Sequence, residues 1–256
     1  MTNLTRRYFL GAAATLPLGC ALRHTGTENA PANAETVREP AAGQSWRYSK
    51  HDVLSGAFLD TQVDRVETIG DTVSIDSRSE TGVNDKHGHS AWGLAWLRKN
   101  LGSHKPNVSD SSEIQRPWGK ILVDPHWSEI QVFETPIPLW PAELRPGWHT
   151  HFDTEYKTPS HDGDGLPWDQ TITAHAWETI TVPAGQFSAL RFSNQINFTS
   201  TDFGRAACKR QETIWLAPQV GRWVKRESIG TYYLSESVDD TQAYEPSFRL
   251  ELLEWT

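Results

Sequence analysis

Hydrophobic and polar residues alternate along most of this chain with the period of two that a half-buried β-strand imposes. Trp46 and Tyr48 begin the alternation, and Val63, Val66, Ile69, Val73 and Ile75 mark two further β-rich runs broken at Gly70-Asp71. The pattern is strongest after Pro146. There Trp148, Phe152 and Tyr156 share a face with Thr150 and Thr154, while His149, His151, Asp153 and Glu155 share the other. Leu190, Phe192, Ile196 and Phe198 oppose Arg191, Ser193, Gln195 and Asn197 in the same way. Glu212 to Leu216, Gly221 to Glu227 and Phe248 to Trp255 predict later strands. Only Ser90 to Leu101 departs towards helical spacing, through Trp92, Ala95, Trp96 and Lys99, with Gly102 at the expected stop. Residues 102–118 read as polar and irregular. Pro136, Pro138, Pro141 and Pro146 argue against a central strand and predict an extended crossing loop. Residues 157–169 (KTPSHDGDGLPWD) read as turn chemistry. No repeat of 20–50 residues is visible, so the spacing predicts an antiparallel all-β domain rather than βαβ units.

The first twenty residues follow a different logic. No charge occurs from Tyr8 to Leu22, a run of signal-peptide length and shorter than the ~20 residues of a spanning helix. Thr5-Arg6-Arg7-Tyr8-Phe9-Leu10 resembles a bacterial twin-arginine export signal, with every position of that pattern present. Leu16-Pro17-Leu18-Gly19-Cys20 resembles a lipoprotein box, in which a peptidase cuts before a lipidated cysteine. Pro17 and Leu18 depart from the usual box. Ordinary cleavage after Ala32 or Ala34 is the competing reading, and those sites lie far beyond the apolar run. The reading favoured here is lipidation at Cys20, with Ala21 in place of the Asp that retains lipoproteins in the inner membrane. This implies a periplasmic domain anchored to the outer membrane, the alternative being a soluble periplasmic protein. The implied partners are the twin-arginine export machinery and the lipoprotein-processing enzymes.

Residues 1–19 are thus read as signal, 20–43 as a polar tether and 44–256 as one β domain. As flexible coil the tether reaches about 25 Å. Removing 1–19 takes away Arg6 and Arg7 alone among charged residues. That leaves 22 Lys and Arg against 32 Asp and Glu, a net charge of −10. Such a balance excludes a nucleic-acid-binding face and leaves the anchor as the contact with the membrane. With Cys20 lipidated, Cys208 has no disulfide partner, so the domain relies on its own core. Twelve tryptophans against one methionine predict an aromatic-rich β core, or a groove for a flat apolar ligand.

The stretch Glu178-Thr179-Ile180-Thr181-Val182-Pro183-Ala184-Gly185-Gln186-Phe187, followed by Ala217-Pro218-Gln219-Val220-Gly221-Arg222-Trp223-Val224, resembles an uncharacterised bacterial periplasmic β domain. The resemblance covers residues 174–234. It implies an all-β fold, a curved antiparallel sheet (half-barrel or open barrel) similar to lipoprotein-localisation half-barrels. One short covering helix at 90–101 is expected to lie over its hollow. It implies no catalytic residues. Physically, Pro183, Gly185, Pro218 and Gly221 are turn architecture.

Candidate chemistry is sparse. His149, His151 and Asp153 on one strand face could meet a metal ion, with His161, Asp162 or Asp164 completing the set; their alternation equally describes a solvated strand face. Lys86-His87-Gly88-His89 is a loop with two histidines, and Cys208 beside Lys209-Arg210 could be an activated thiol or a small core residue. The chain has no G-x-S-x-G, P-loop, G-x-G-x-x-G, H-E-x-x-H or C-x-x-C, and no cofactor is expected. The leading functional expectation is a non-enzymatic envelope module that binds an apolar ligand or a partner protein in the sheet's hollow, with Trp92 and Trp96 on the ligand face. The alternative is a metal-dependent hydrolase using His149, His151 and Asp153.

Overall fold

The computed structural model describes Ala30 and residues 36–81, 96, 99, 111–127, 129–235 and 241–256. Thirteen strands run in chain order: β1 (Ser45–His51), β2 (Phe58–Ile69), β3 (Val73–Ser79), β4 (Ser112–Gln115), β5 (Lys120–Asp124), β6 (Gln131–Pro138), β7 (His149–Thr158), β8 (His161–Val182), β9 (Gly185–Phe198), β10 (Arg205–Ala217), β11 (Arg222–Leu234), β12 (Gln242–Tyr244) and β13 (Phe248–Trp255). From β1 to β10 each strand pairs antiparallel with the next. β11 pairs with β10 on one edge, and its other edge carries β13 through Lys225–Ser228 and then β12. β13 returns to β1, from Trp46↔Trp255 to His51↔Arg249. Twelve strands therefore close into an antiparallel barrel, and β12 is the extra strand.

The all-β class is as the alternation predicts, but the half-barrel or open barrel is not what forms. Closure comes from the last long strand reaching the first, and no local pattern announces that pairing. It leaves β1 and β10 without free edges, which is the usual benefit of a closed barrel. The expected covering helix at 90–101 lies outside the described residues except for Trp96 and Lys99, whose backbones are helical. Trp96 is buried against Ile114 and Val123. Ile114 follows Glu113, whose side chain enters the barrel, so Trp96 packs on the outside of the wall rather than over a hollow. Apart from Trp96 and Lys99, the helical element among the described residues is the 3-10 turn Pro218–Val220, closed by Gly221 at φ 77°.

Three local expectations are corrected. The segment 157–169 is mostly strand, because the β7–β8 hairpin turns at Pro159-Ser160. Gly165 sits in β8 because a Cβ there would run into the Glu155 side chain. Pro136 and Pro138 belong to β6 rather than to a crossing loop. β6 meets β7 only at Val132↔Lys157 and Phe133↔Tyr156, so beyond Phe133 it is an edge on that side and tolerates residues without a donor. Thirdly, the polar run 102–118 contains β4, whose four residues are all buried.

The lumen is filled by the chain's own side chains. Trp46, Trp177 and Trp223 are fully buried with Tyr48, Phe133, Phe192 and Arg222, and Trp168 and Trp140 are buried beside them. A ring of twelve strands is wider than the eight that ordinary side chains fill, and large side chains close the difference. That accounts for the tryptophan excess. A cavity of 20 Å³ remains among Asp124, Trp127, Trp168, Gln170, Glu212 and Arg226. This is about the room one water needs.

The outer wall is polar along β8, β9 and β10. Asp169, Thr171 and Thr173 of β8 pair with Asn197, Gln195 and Ser193 of β9, and these with Lys209, Gln211 and Thr213 of β10. This is the reverse of the apolar belt that a lipid-spanning barrel presents. The two rims differ as well. The chain docks at one rim before Gln44: the Arg38 amide donates to the Pro218 carbonyl at 3.0 Å, and Trp118 Nε1 donates to the Arg38 carbonyl at 3.1 Å. At the opposite rim Ser247 Oγ donates to Asp52 Oδ2, and the Ser235 amide donates to the Gly204 carbonyl. There Leu54, Phe58, Phe203 and Tyr244 stand exposed.

Candidate functional site

Two clusters of charge deserve comparison as sites, one on the wall and one in the lumen. On the wall, alternation along β7 points His151 and Asp153 outward, and the β7–β8 register sets Asp169 directly opposite Asp153. His151 Nε2 lies 3.1 Å from Asp153 Oδ1 and 3.2 Å from Asp169 Oδ2. Its Nδ1 lies 3.2 Å from Thr171 Oγ1, and Asn197 Nδ2 donates to the other oxygen of Asp169 at 2.9 Å. All three ligand atoms are within 4.8 Å of one another. The side chains are open to solvent, His151 by 54% and Asp153 by 72%.

Of the residues singled out by sequence, the structure thus brings His151 and Asp153 together and adds Asp169. His149 shares the outward face, opposite Thr173, but stands outside the cluster. His161 pairs with Thr158 at the hairpin and is likewise outside it, as is Asp164. Asp169 was hidden because the hairpin register shifts between Tyr156 and Thr158. Counting back from the turn at 159–160 would have set a different residue against Asp153.

In the lumen, Arg222 is fully buried and grips Glu113 with two parallel bonds, Nη1 to Oε1 at 3.0 Å and Nη2 to Oε2 at 2.8 Å. Nη2 also lies 3.1 Å from Asp64 Oδ2, and the guanidinium stacks 4.0 Å from the Trp223 ring. β2, β4 and β11 are not neighbours in the ring, so this triad ties the barrel across its middle. Burial opposes the charge on Arg222, but Glu113 and Asp64 outweigh it and raise its pKa. A second knot joins Arg226 to Glu212 at 2.6 Å, with Asn194 Nδ2 donating to the other Glu212 oxygen at 3.1 Å. Next to it His126 Nδ1 meets Asp124 Oδ1 at 2.7 Å, and Trp127 Nε1 donates to Asp124 Oδ2 at 2.9 Å. Burial alone would lift the Asp124 carboxyl, but His126 holds it at about 2. Burial likewise works against charge on His126, and Asp124 overrides it to raise the imidazole pKa. Sequence reasoning passed over Glu113, Asp124, Glu212, Arg222 and Arg226. Their only signal is charge at positions where the alternation demands an apolar residue.

The carboxylates of the lumen network are each held by a cation or by several donors. The network is built to hold charge still. Cys208 is buried, and burial followed by Glu245 pushes its thiol up despite Arg210 and Arg205 nearby. It is a small core residue beside Phe198 and Ile196, not an activated thiol. Arg6, Arg7, Cys20, Lys86 to His89 and Trp92 lie outside the described residues, as does the side chain of Asp162.

No protein-family model matches this chain, and no curated protein sequence does either. Among solved structures, it is similar to a candidate lipoprotein from Parabacteroides distasonis at 11% identity and TM-score 0.42, covering 88% of this chain and 100% of that one. The hypothetical lipoprotein YmcC from Escherichia coli matches at 11% identity and TM-score 0.41, over 85% of this chain and 90% of the other. A candidate exported protein with a YmcC-like fold from Bacteroides fragilis matches at 12% identity and TM-score 0.41, over 87% and 99%. Likeness at this level is no guide to what a residue does.

Proposed function

We propose that this chain is an exported cell-envelope protein, held at the outer membrane through lipid on Cys20, whose barrel serves as a rigid platform for a partner protein. The observation that carries the reading is the division of labour between the rims. The chain enters the barrel at the rim where Arg38 docks on Pro218, so the proposed tether joins the barrel there. Phe203, 91% exposed, stands with Leu54, Phe58 and Tyr244 at the far rim. Apolar side chains held clear of the membrane in this way suit a protein–protein contact. The inward-facing Trp46, Tyr48, Phe192 and Trp223, all buried, favour a partner protein at the rim over an apolar ligand among them.

Placement and partner are tested separately. Mass spectrometry of the membrane form should find an acylated Cys20 at the mature N-terminus, Cys20→Ala should release the protein, and Arg6→Lys with Arg7→Lys should leave precursor in the cytoplasm. A soluble mature protein beginning at Asn33 or Glu35 overturns the anchor. A photo-crosslinker at Phe203 should capture one envelope protein in cells, and the same group at Ile69 on the tethered rim should not. Equal labelling from both rims overturns the platform.

A further inference from the structure

We propose that His151, Asp153 and Asp169 form a binding site for one divalent transition-metal ion on the outer wall of the barrel. Asp153 and Asp169 face each other directly across an antiparallel pair, where two like charges repel and a cation between them is favoured. Something positive belongs at that point, and the geometry points to a metal.

His151 Nε2 is almost equidistant from the two carboxylates, at 3.1 and 3.2 Å. A single N–H shared between both oxygens makes only two weakened three-centre bonds. Those separations are also close to the edge of a tetrahedron of ligands about 2.1 Å from Zn²⁺, roughly 3.4 Å. The outer partners are also those a metal site needs. His151 Nδ1 can donate to Thr171 Oγ1, which frees Nε2 as the unprotonated ligand nitrogen. Asn197 occupies one oxygen of Asp169 and leaves the other turned to the site. One imidazole and two carboxylates make a borderline donor set suited to Zn²⁺ or a neighbouring divalent ion rather than to Cu⁺. The open side faces solvent, so the fourth position belongs to water or to a group brought by another molecule.

The test uses the full chain purified in detergent without an affinity tag, stripped by chelation and titrated with ZnCl₂ in a calorimeter. One equivalent is expected. His151→Ala and Asp169→Asn should each weaken binding by more than about tenfold, and Thr171→Val by about tenfold through loss of the outer partner. His149→Ala, two residues along the same face, should leave it unchanged. Co²⁺ substitution should give visible d–d bands that vanish in His151→Ala. No uptake, or equal uptake in wild type and His151→Ala, overturns the proposal and leaves His151 as a hydrogen-bonded bridge between two facing acids. All the altered side chains are outward-facing, and matched melting curves establish that the variants fold.

Discussion

The wall and the lumen of this barrel use similar ingredients, two acids around one nitrogen-bearing side chain, to opposite effect. On the wall, His151 sits between Asp153 and Asp169 open to solvent; in the lumen, Arg222 sits between Glu113 and Asp64 with all three side chains buried. Water screens the first trio, so its bonds add little to stability and its groups stay available to an outside ion. The second trio has paid for its desolvation only through mutual pairing, so its members are fixed and unavailable. A charged cluster is therefore a candidate site where solvent can compete for it, and a structural tie where solvent cannot.

The largest expected effect breaks the lumen trio. Glu113→Ala leaves Arg222 buried and half-paired, and should cost about 3–5 kcal/mol of unfolding free energy in denaturant titrations. A loss below 1 kcal/mol would mean that water reaches the lumen and that the contrast with the wall is false. Next comes pH. Asp124 has a depressed pKa, so its contribution is present above the ordinary carboxylate value and is lost as pH falls towards about 2. From the shift this is roughly 2 kcal/mol. His126 has a raised pKa, so its contribution is full below the ordinary imidazole value and is lost as pH rises through the folded one. Unfolding midpoints across pH should thus fall at both ends, and His126→Gln should flatten the upper limb. An unchanged upper limb in that variant would remove His126 from the account.

A smaller net change is expected when the whole lumen trio is replaced. Arg222→Met with Glu113→Leu and Asp64→Leu should recover most of what Glu113→Ala loses, since apolar side chains of similar volume avoid the desolvation cost. If the triple variant is no more stable than the single one, the trio does more than fill space. The smallest effect belongs to the wall, where His151→Ala should move metal-free stability by no more than about 0.5 kcal/mol in the same assay. A larger loss would make the wall cluster structural.

Legibility followed the same divide. Strands with apolar residues turned inward, such as β9 with Phe192, Ile196 and Phe198, could be read directly from alternation. β4 could not, because its inward residues are Glu113 and Gln115. Its pattern looks like a loop until Arg222, 109 residues later, arrives to pair with Glu113. The wall site was half legible: His151 and Asp153 share a strand, and a period of two is enough to align them. Asp169 depended on a register shift in the hairpin, which side-chain type does not reveal.

What the sequence by itself determined is local: period-two strands, a polar face on β8 and β9, and an aromatic stock large enough to fill a wide interior. Each follows from residues a few positions apart. What the tertiary structure alone decided is closure, the buried charge network and the third ligand of the wall site. Closure and the buried network rest on contacts between strands remote in the chain, Trp46 with Trp255 and Asp64 with Arg222, and their free energy appears only when the ring shuts. The third ligand of the wall site rests on the register of one hairpin, which sets Asp153 opposite Asp169.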